Sequence, residues 1–137
     1  HWTWHPEGFL RRWGVLDFAG GTVVHISAGI AALAGALVLG RRSAHVRASS
    51  FSTPNVPYVL LGTGLLWFGW FGFNAGSALG ANELAALSFV NTNLASAAAL
   101  IAWLLVELVR GGKPTALGAC IGAVGGLVAI TPAAGYV

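Results

Sequence analysis

The sequence predicts an all-α, polytopic membrane protein, and three observations carry that reading. Of its 137 residues, 56% are hydrophobic and only 8% are charged. Soluble domains carry roughly a quarter charged residues, so this chain has too few to cover a wet surface. Mean hydropathy is +0.76. Four stretches without a charge recur, at about 18–40, 58–80, 84–106 and 115–137. Each is about 23 residues long, enough to cross a ~30 Å hydrocarbon core with some tilt. Four buried helices of a soluble protein are the alternative, but no amphipathic helices remain to cover them.

The same composition excludes disorder. The 20 glycines follow no G-x-y period, which suits packed membrane helices and not a collagen-like chain. The single Cys120 leaves no disulfide framework or multi-cysteine metal site within the chain. Nor do the basic residues alternate with aromatics as single-stranded nucleic acid requires, so no nucleic-acid partner is expected. The chain starts at His1, has no Met and stops in an apolar run at Val137. It reads as an internal piece of a longer protein.

The polar residues sit between the apolar stretches. The first connection, 41–57, holds Arg41, Arg42, His45 and Arg47 as well as Pro54 and Pro57. The second, Ala81–Glu83, is very short, and the third, about 107–114, contains Arg110-Gly-Gly-Lys113-Pro114. Two crossings apart, the first and third connections share a side of the membrane. They hold five basic residues against Arg11 and Arg12 on the other. The positive-inside rule therefore predicts cytoplasmic loops at 41–57 and 107–114 in the cell membrane. The N-terminal segment and residues 81–83 then face outward.

Small residues predict the packing faces. Gly21, Ala28, Ala32 and Gly35/Ala36 form a stripe on the first helix. Gly62, Gly69, Gly72 and Gly76 do so on the second, and Gly118, Gly122, Gly125/Gly126 and Ala129 on the fourth. Such spacing lets helix backbones approach closely in lipid.

His25 is the one titratable residue well inside an apolar stretch. It shares a helix face with Gly21, Ala28 and Ala32, so its ring is expected to point into the bundle. An intramembrane ionisable residue is costly and is by default a functional candidate. An uncharged imidazole offers one donor and one acceptor, which suits a polar uncharged passenger or a proton relay. The alternative is a histidine that merely bonds two helices together. Asp17 stands just before the first apolar run, where it can cap the helix, act as a fixed negative charge near a cation site, or do both. On the second helix Leu66, Trp70, Phe73 and Ser77 share a face. An aromatic face with a hydroxyl acceptor suits a small cation, worth roughly 0.5–2 kcal/mol. Aromatics near a membrane end also form interfacial belts. Trp2 and Trp4 belong either to such a belt or over a pore mouth. Asn91, Thr92 and Asn93 are expected to bond between helices.

Several chemistries drop out. There is no GxxxxGK[ST] loop, no CxxC pair, no Ser/His/Asp set and no facing carboxylates, so an enzyme is not expected. His1, His5 and His45 lie outside the apolar stretches, so no second imidazole joins His25 on a haem or metal.

Asp17-Phe-Ala-Gly-Gly-Thr-Val-Val-His25, followed by Ala28-Gly29, Ala32-Leu33 and Gly40-Arg-Arg42, resembles the signature of the ammonium transporters of the Amt/Mep/Rh superfamily. Trp67-Phe-Gly-Trp-Phe-Gly-Phe-Asn-Ala-Gly-Ser77 is similar to the next helix of those proteins. So are Ala85–Asn93, Gly111–Thr115 and Ala129–Tyr136. The resemblance covers essentially the whole chain and favours the bacterial or archaeal Amt branch. It implies four of the eleven membrane helices, numbers five to eight, of a trimeric fold with inverted repeats and one pore per subunit. It implies ammonium or ammonia as the passenger and no cofactor. His25 matches the first of two pore histidines that share a hydrogen bond. Phe73 matches one of two stacked gating phenyl rings. Trp4 and Ser77 match the outer recruitment site, Trp70 an aromatic of the upper pore, and Asp17 a partly structural acid below that site. His5-Pro6-Glu7 departs from the Gly-rich stretch common after the Trp4 position and is one residue longer. A PII-type regulatory protein on the cytoplasmic face is a further implied partner. An ammonium-sensing membrane domain of a signalling protein is the alternative function.

Overall fold

The computed structural model describes residues 1–41 and 55–137. Arg42, His45, Arg47 and Pro54, with most of the expected 41–57 loop, lie outside the described residues. The chain begins with turns and a short helix α1 (Phe9–Arg12), whose Leu10 and Arg11 amides donate to the Trp2 carbonyl. Glu7 and Arg12 pair across the exposed face of this segment. A π-helical turn, Gly21–Ile26, then opens directly into α2 (Ser27–Leu39). Three further helices follow: α3 (Val56–Gly76), α4 (Glu83–Val109) and α5 (Ala116–Ile130).

Each boundary has a local cause. Asn55 caps α3 by accepting from the Tyr58 amide at 3.1 Å. Asn82 caps α4 through the Ala85 amide at 3.0 Å, with Glu83 in the first turn facing the positive end of the helix. Thr115 caps α5 through the Gly118 amide at 2.9 Å. Glu107 accepts from both the amide and the hydroxyl of Thr115, at 2.8 and 2.9 Å, and so ties the end of α4 to the start of α5. Just past that same C-terminal end of α4, Gly111 takes φ +77°, the left-handed geometry that closes helices. Pro132, which has no N–H, follows α5 after one residue.

The most heavily used cap is Asp17. Its carboxylate, 5% exposed, accepts from four successive amides: Gly20 at 2.9 Å and Gly21 at 2.7 Å on Oδ1, then Thr22 at 2.8 Å and Val23 at 3.2 Å on Oδ2. These are the orphan donors that any helix start leaves. Gly20 turns at φ +107° to aim them, and the edge of Trp4 lies 3.4 Å from where its Cβ would stand. The helix-capping side of the Asp17 expectation is thus visible in the geometry.

Helices α3, α4 and α5 form the bundle. α4 and α5 are antiparallel and in close contact. A Cβ on Gly122 would stand 2.8 Å from Trp103 Cβ, and one on Gly126 2.8 Å from Ser96 Cα. Gly118 lies against the Glu107 carboxylate. Ser88, Thr92 and Ser96 form a buried hydroxyl row along α4. Ser96 donates to the Ala123 carbonyl at 3.0 Å, and Thr92 accepts from Asn74 of α3 at 3.0 Å. Asn91 reaches the Ala134 carbonyl at 2.9 Å. The π turn docks on the end of α5, with Gly21 pressed on Pro132 and the Phe18 amide donating to the Pro132 carbonyl at 2.9 Å.

Two expected packing faces find no partner among the described residues. Gly62, Gly69, Gly72 and Gly76 of α3 have open space where a Cβ would stand, and so do Gly29 and Gly35 of α2. Ala28, Ala32 and Ala36 are exposed. The small-residue stripe is a permission for close approach, and within these residues only α5 and Gly21 use it. Three helical stretches, Gly21–Leu39, α3 and α4, are long and apolar enough to cross a membrane. The helical part of the fourth apolar stretch is 15 residues, about 22 Å, before it breaks into turns over Thr131–Tyr136.

Gly126→Ala in the full-length protein is expected to cost about 1–3 kcal/mol through overpacking against α4. Thermal denaturation in detergent measures it, and a wild-type midpoint would contradict the packing. Asp17→Asn keeps one acceptor oxygen where two serve four amides, and is expected to cost about 1–2 kcal/mol. Hydrogen exchange at Gly20–Val23 should quicken, and unchanged protection there would show that the carboxylate is not what holds the turn.

Candidate functional site

The site is built on the π turn and the facing side of α3. His25 is the fifth residue of the turn. The wider π spacing adds a residue to the helical cycle, and such turns recur at functional positions. The imidazole lies beside two rings of α3. Its centroid is 5.2 Å from that of Trp70, tilted by 30°, and 5.7 Å from that of Phe73, stacked at 23°. Trp70 and Phe73 are three residues apart on α3 and 5.6 Å from each other. This is the helical neighbour spacing, so one face of α3 presents both rings to His25.

Thr131 joins the three elements. It is fully buried at the C-terminal cap of α5. Its Oγ1 lies 3.1 Å from His25 Nε2 and accepts from Trp70 Nε1 at 2.9 Å. It also donates to the Leu127 carbonyl one turn back, at 2.7 Å. Sequence reasoning missed this residue. A Thr before a Pro at the end of an apolar run reads as a helix stop. What could have drawn attention to it is that both polar ring atoms, on His25 and on Trp70, need a partner in lipid.

The other expected residues gather around the opposite end of the turn or stay apart. The Trp4 indole N–H donates to the Asp17 carbonyl at 2.7 Å, and half of Trp4 is exposed. Trp4 and Asp17 are therefore brought together, with His25 on the last turn of the same short helix. Ser77 lies one turn beyond Phe73, and its hydroxyl donates back to the Phe73 carbonyl at 2.8 Å. That leaves two lone pairs for an incoming donor. No hydrogen bond joins Ser77 to Trp4 among the described residues. Asn74, beside Phe73, is fully buried, and its Oδ1 has no partner among the described residues.

Chemically, the arrangement offers π faces, one imidazole and hydroxyl oxygens in an apolar wall. His25 lines an open depression with Thr22, Ile26, Val128 and Pro132. Among the described residues no three His, Cys, Asp or Glu side chains gather to hold a metal.

Comparison with known proteins meets this geometry from outside. The family model described as Ammonium Transporter Family matches residues 1–137. An ammonium transporter of Aquifex aeolicus is 61% identical over the whole of this chain and 31% of its own length. The crystal structure of Mep2 from Candida albicans superposes with a TM-score of 0.91 at 47% identity, over 99% of this chain and 31% of that one. A structure described as a sensor Amt protein gives a TM-score of 0.88 at 37% identity, over 100% of this chain and 36% of that one. The sequence thus spans about a third of the length of the relatives it matches. Since the match runs from the first residue to the last and takes in the π turn, the aromatic face of α3 and the Thr131 junction alike, the chain belongs to the ammonium transporter family.

Proposed function

We propose that these residues form one wall of a path that carries ammonium and ammonia across the cell membrane. The observation that carries this is the imidazole of His25, held by a buried hydroxyl against two aromatic rings within strongly apolar helices. In this reading Trp4, Phe73 and Ser77 recruit ammonium at the outer mouth. Ring faces attract the cation, and Ser77 Oγ accepts an N–H. A full charge is expensive in a dry apolar passage, so the cation loses a proton near Phe73 and ammonia passes His25. Trp70 shapes the passage beside the imidazole. Asp17 serves the path indirectly, by holding the turn that carries His25 and by supporting Trp4 through its carbonyl.

The same reading takes the whole protein to be a homotrimer of eleven-helix subunits. The N-terminal segment and residues 81–83 face outward, and 41–57 and 107–114 face the cytoplasm, where a PII-type regulator binds. The membrane spans are 18–40, 58–80, 84–106 and 115–137. A second reading, an ammonium-sensing domain, draws support from the similarity to the sensor Amt protein. The full-length protein in liposomes, on a solid-supported membrane given an ammonium jump, separates them. A saturating transient current means charge-coupled transport. No current with internal alkalinisation faster than in empty vesicles means a neutral ammonia channel. The absence of both responses supports the sensor.

His25→Ala is expected to lower uptake at least about tenfold, the worth of one strong hydrogen bond, with the oligomer intact by size-exclusion chromatography. Wild-type uptake in an intact oligomer would sink the assignment of His25. Trp4→Leu is expected to raise the half-saturating ammonium concentration by roughly 2- to 30-fold, the range of one cation–π contact. Current amplitudes across an ammonium series read this out, and an unshifted curve would remove Trp4 from recruitment.

A further inference from the structure

We propose that Thr131 is a positioning residue that sets the tautomer of His25, so that the ring carries its proton on Nε2 and presents Nδ1 as a bare acceptor. The inference rests on reading His25 as part of the ammonia path, but its geometry does not. A hydroxyl has one hydrogen and two lone pairs. Three polar atoms crowd Thr131 Oγ1: the Leu127 carbonyl at 2.7 Å, Trp70 Nε1 at 2.9 Å and His25 Nε2 at 3.1 Å. An indole nitrogen only donates and a carbonyl only accepts. Trp70 therefore takes one lone pair of Oγ1, and the hydroxyl hydrogen goes to Leu127. One lone pair is left for Nε2, and the contact is a hydrogen bond only when Nε2 carries the proton.

The opposite assignment would turn the hydroxyl hydrogen to a bare Nε2. Two acceptor oxygens, Thr131 Oγ1 and the Leu127 carbonyl, would then face each other at 2.7 Å. Thr131 is fully buried, so water does not relieve that conflict, and unmade bonds at buried groups are costly. The Oγ1 contact is His25's only side-chain hydrogen bond among the described residues. Any polar group that meets Nδ1 must then donate. Ammonia, ammonium, water and the N–H of another imidazole do, whereas a carbonyl does not. The threonine would thus fix which kind of hydrogen-bond partner the other edge of His25 can take, a donor and not a pure acceptor.

The test is solid-state NMR of the full-length protein in lipid bilayers with 15N-labelled histidine, the His25 signals being assigned by their loss in His25→Ala. The expected wild-type spectrum shows a protonated Nε2 and an unprotonated Nδ1. Thr131→Ser keeps this pattern. Thr131→Val, which removes the hydroxyl at nearly constant shape, shifts the tautomer ratio by about tenfold, the equivalent of one net hydrogen bond. A wild-type ring protonated on Nδ1, an even tautomer mixture or a doubly protonated ring would overturn the proposal, and so would a Thr131→Val ratio equal to wild type. The wild-type spectrum decides without any variant folding. Ammonium uptake measured on the same liposomes tests the transport reading separately, since its absence leaves the tautomer result standing.

Discussion

The π turn that leads into α2 begins where four backbone amides have no carbonyl to reach, and a single carboxylate answers all four. In water such donors are satisfied at little cost. In an apolar surrounding each one left bare costs several kcal/mol. The Asp17 carboxylate removes that cost and in doing so fixes the direction in which the helix starts. Everything at the candidate site is hung from this start. Trp4 rests on the Asp17 carbonyl, Gly21 seats against Pro132, and His25 leaves the far end of the same turn toward α3. A residue that looks like a charge in the sequence acts here chiefly as backbone support.

The second support is the close approach of α4 and α5. Gly118, Gly122 and Gly126 bring the two backbones together, and Ser96 spans the seam by donating to the Ala123 carbonyl. This fixes α5 along its length and therefore the position of Thr131 at its end. The hydroxyl that joins His25 to Trp70 is thus located by glycines roughly one and a half to three and a half turns away. Packing and polar bonding are not alternatives in this bundle. The small residues set the distance at which the hydroxyls become useful.

Much of the fold was legible in the sequence. Uncharged runs pointed to the helices, and His25 stood out because a titratable group in an apolar run is costly, whereas the caps Asn55, Asn82 and Thr115 emerged only from the structure. Thr92 makes the interhelical bond its chemistry suggested and Asn91 reaches the turn after α5 instead of a helix, while Asn93 makes no side-chain hydrogen bond among the described residues. What stayed hidden has a common cause. These helices are apolar on nearly all sides, so hydrophobic periodicity carries little phase and the π turn leaves no pattern to read. The hydroxyls Ser88, Thr92 and Ser96 do recur every four residues on one face, but that spacing does not say which helix they meet. Thr131 was hidden because its role comes from three partners distant in sequence. The glycines of α3 and α2 show the converse limit. Their spacing permits close packing, but it does not say which surface fills the space.

The π turn also bears on how this stretch of chain tolerates change in length. A wide turn holds one more residue than the α-helical path it replaces. Deleting a residue from the ordinary helix that follows would turn every later side chain by about 100° around the axis. Deleting one residue between Gly21 and His25 would instead let the wide turn relax into ordinary helix and leave the residues beyond it in phase. His25 and α2 lie beyond such a deletion and would keep their direction, so the change would fall on the start of the turn, where Asp17 holds the amides. At this turn the chain can lose a residue that an α-helix could not spare without turning everything beyond it.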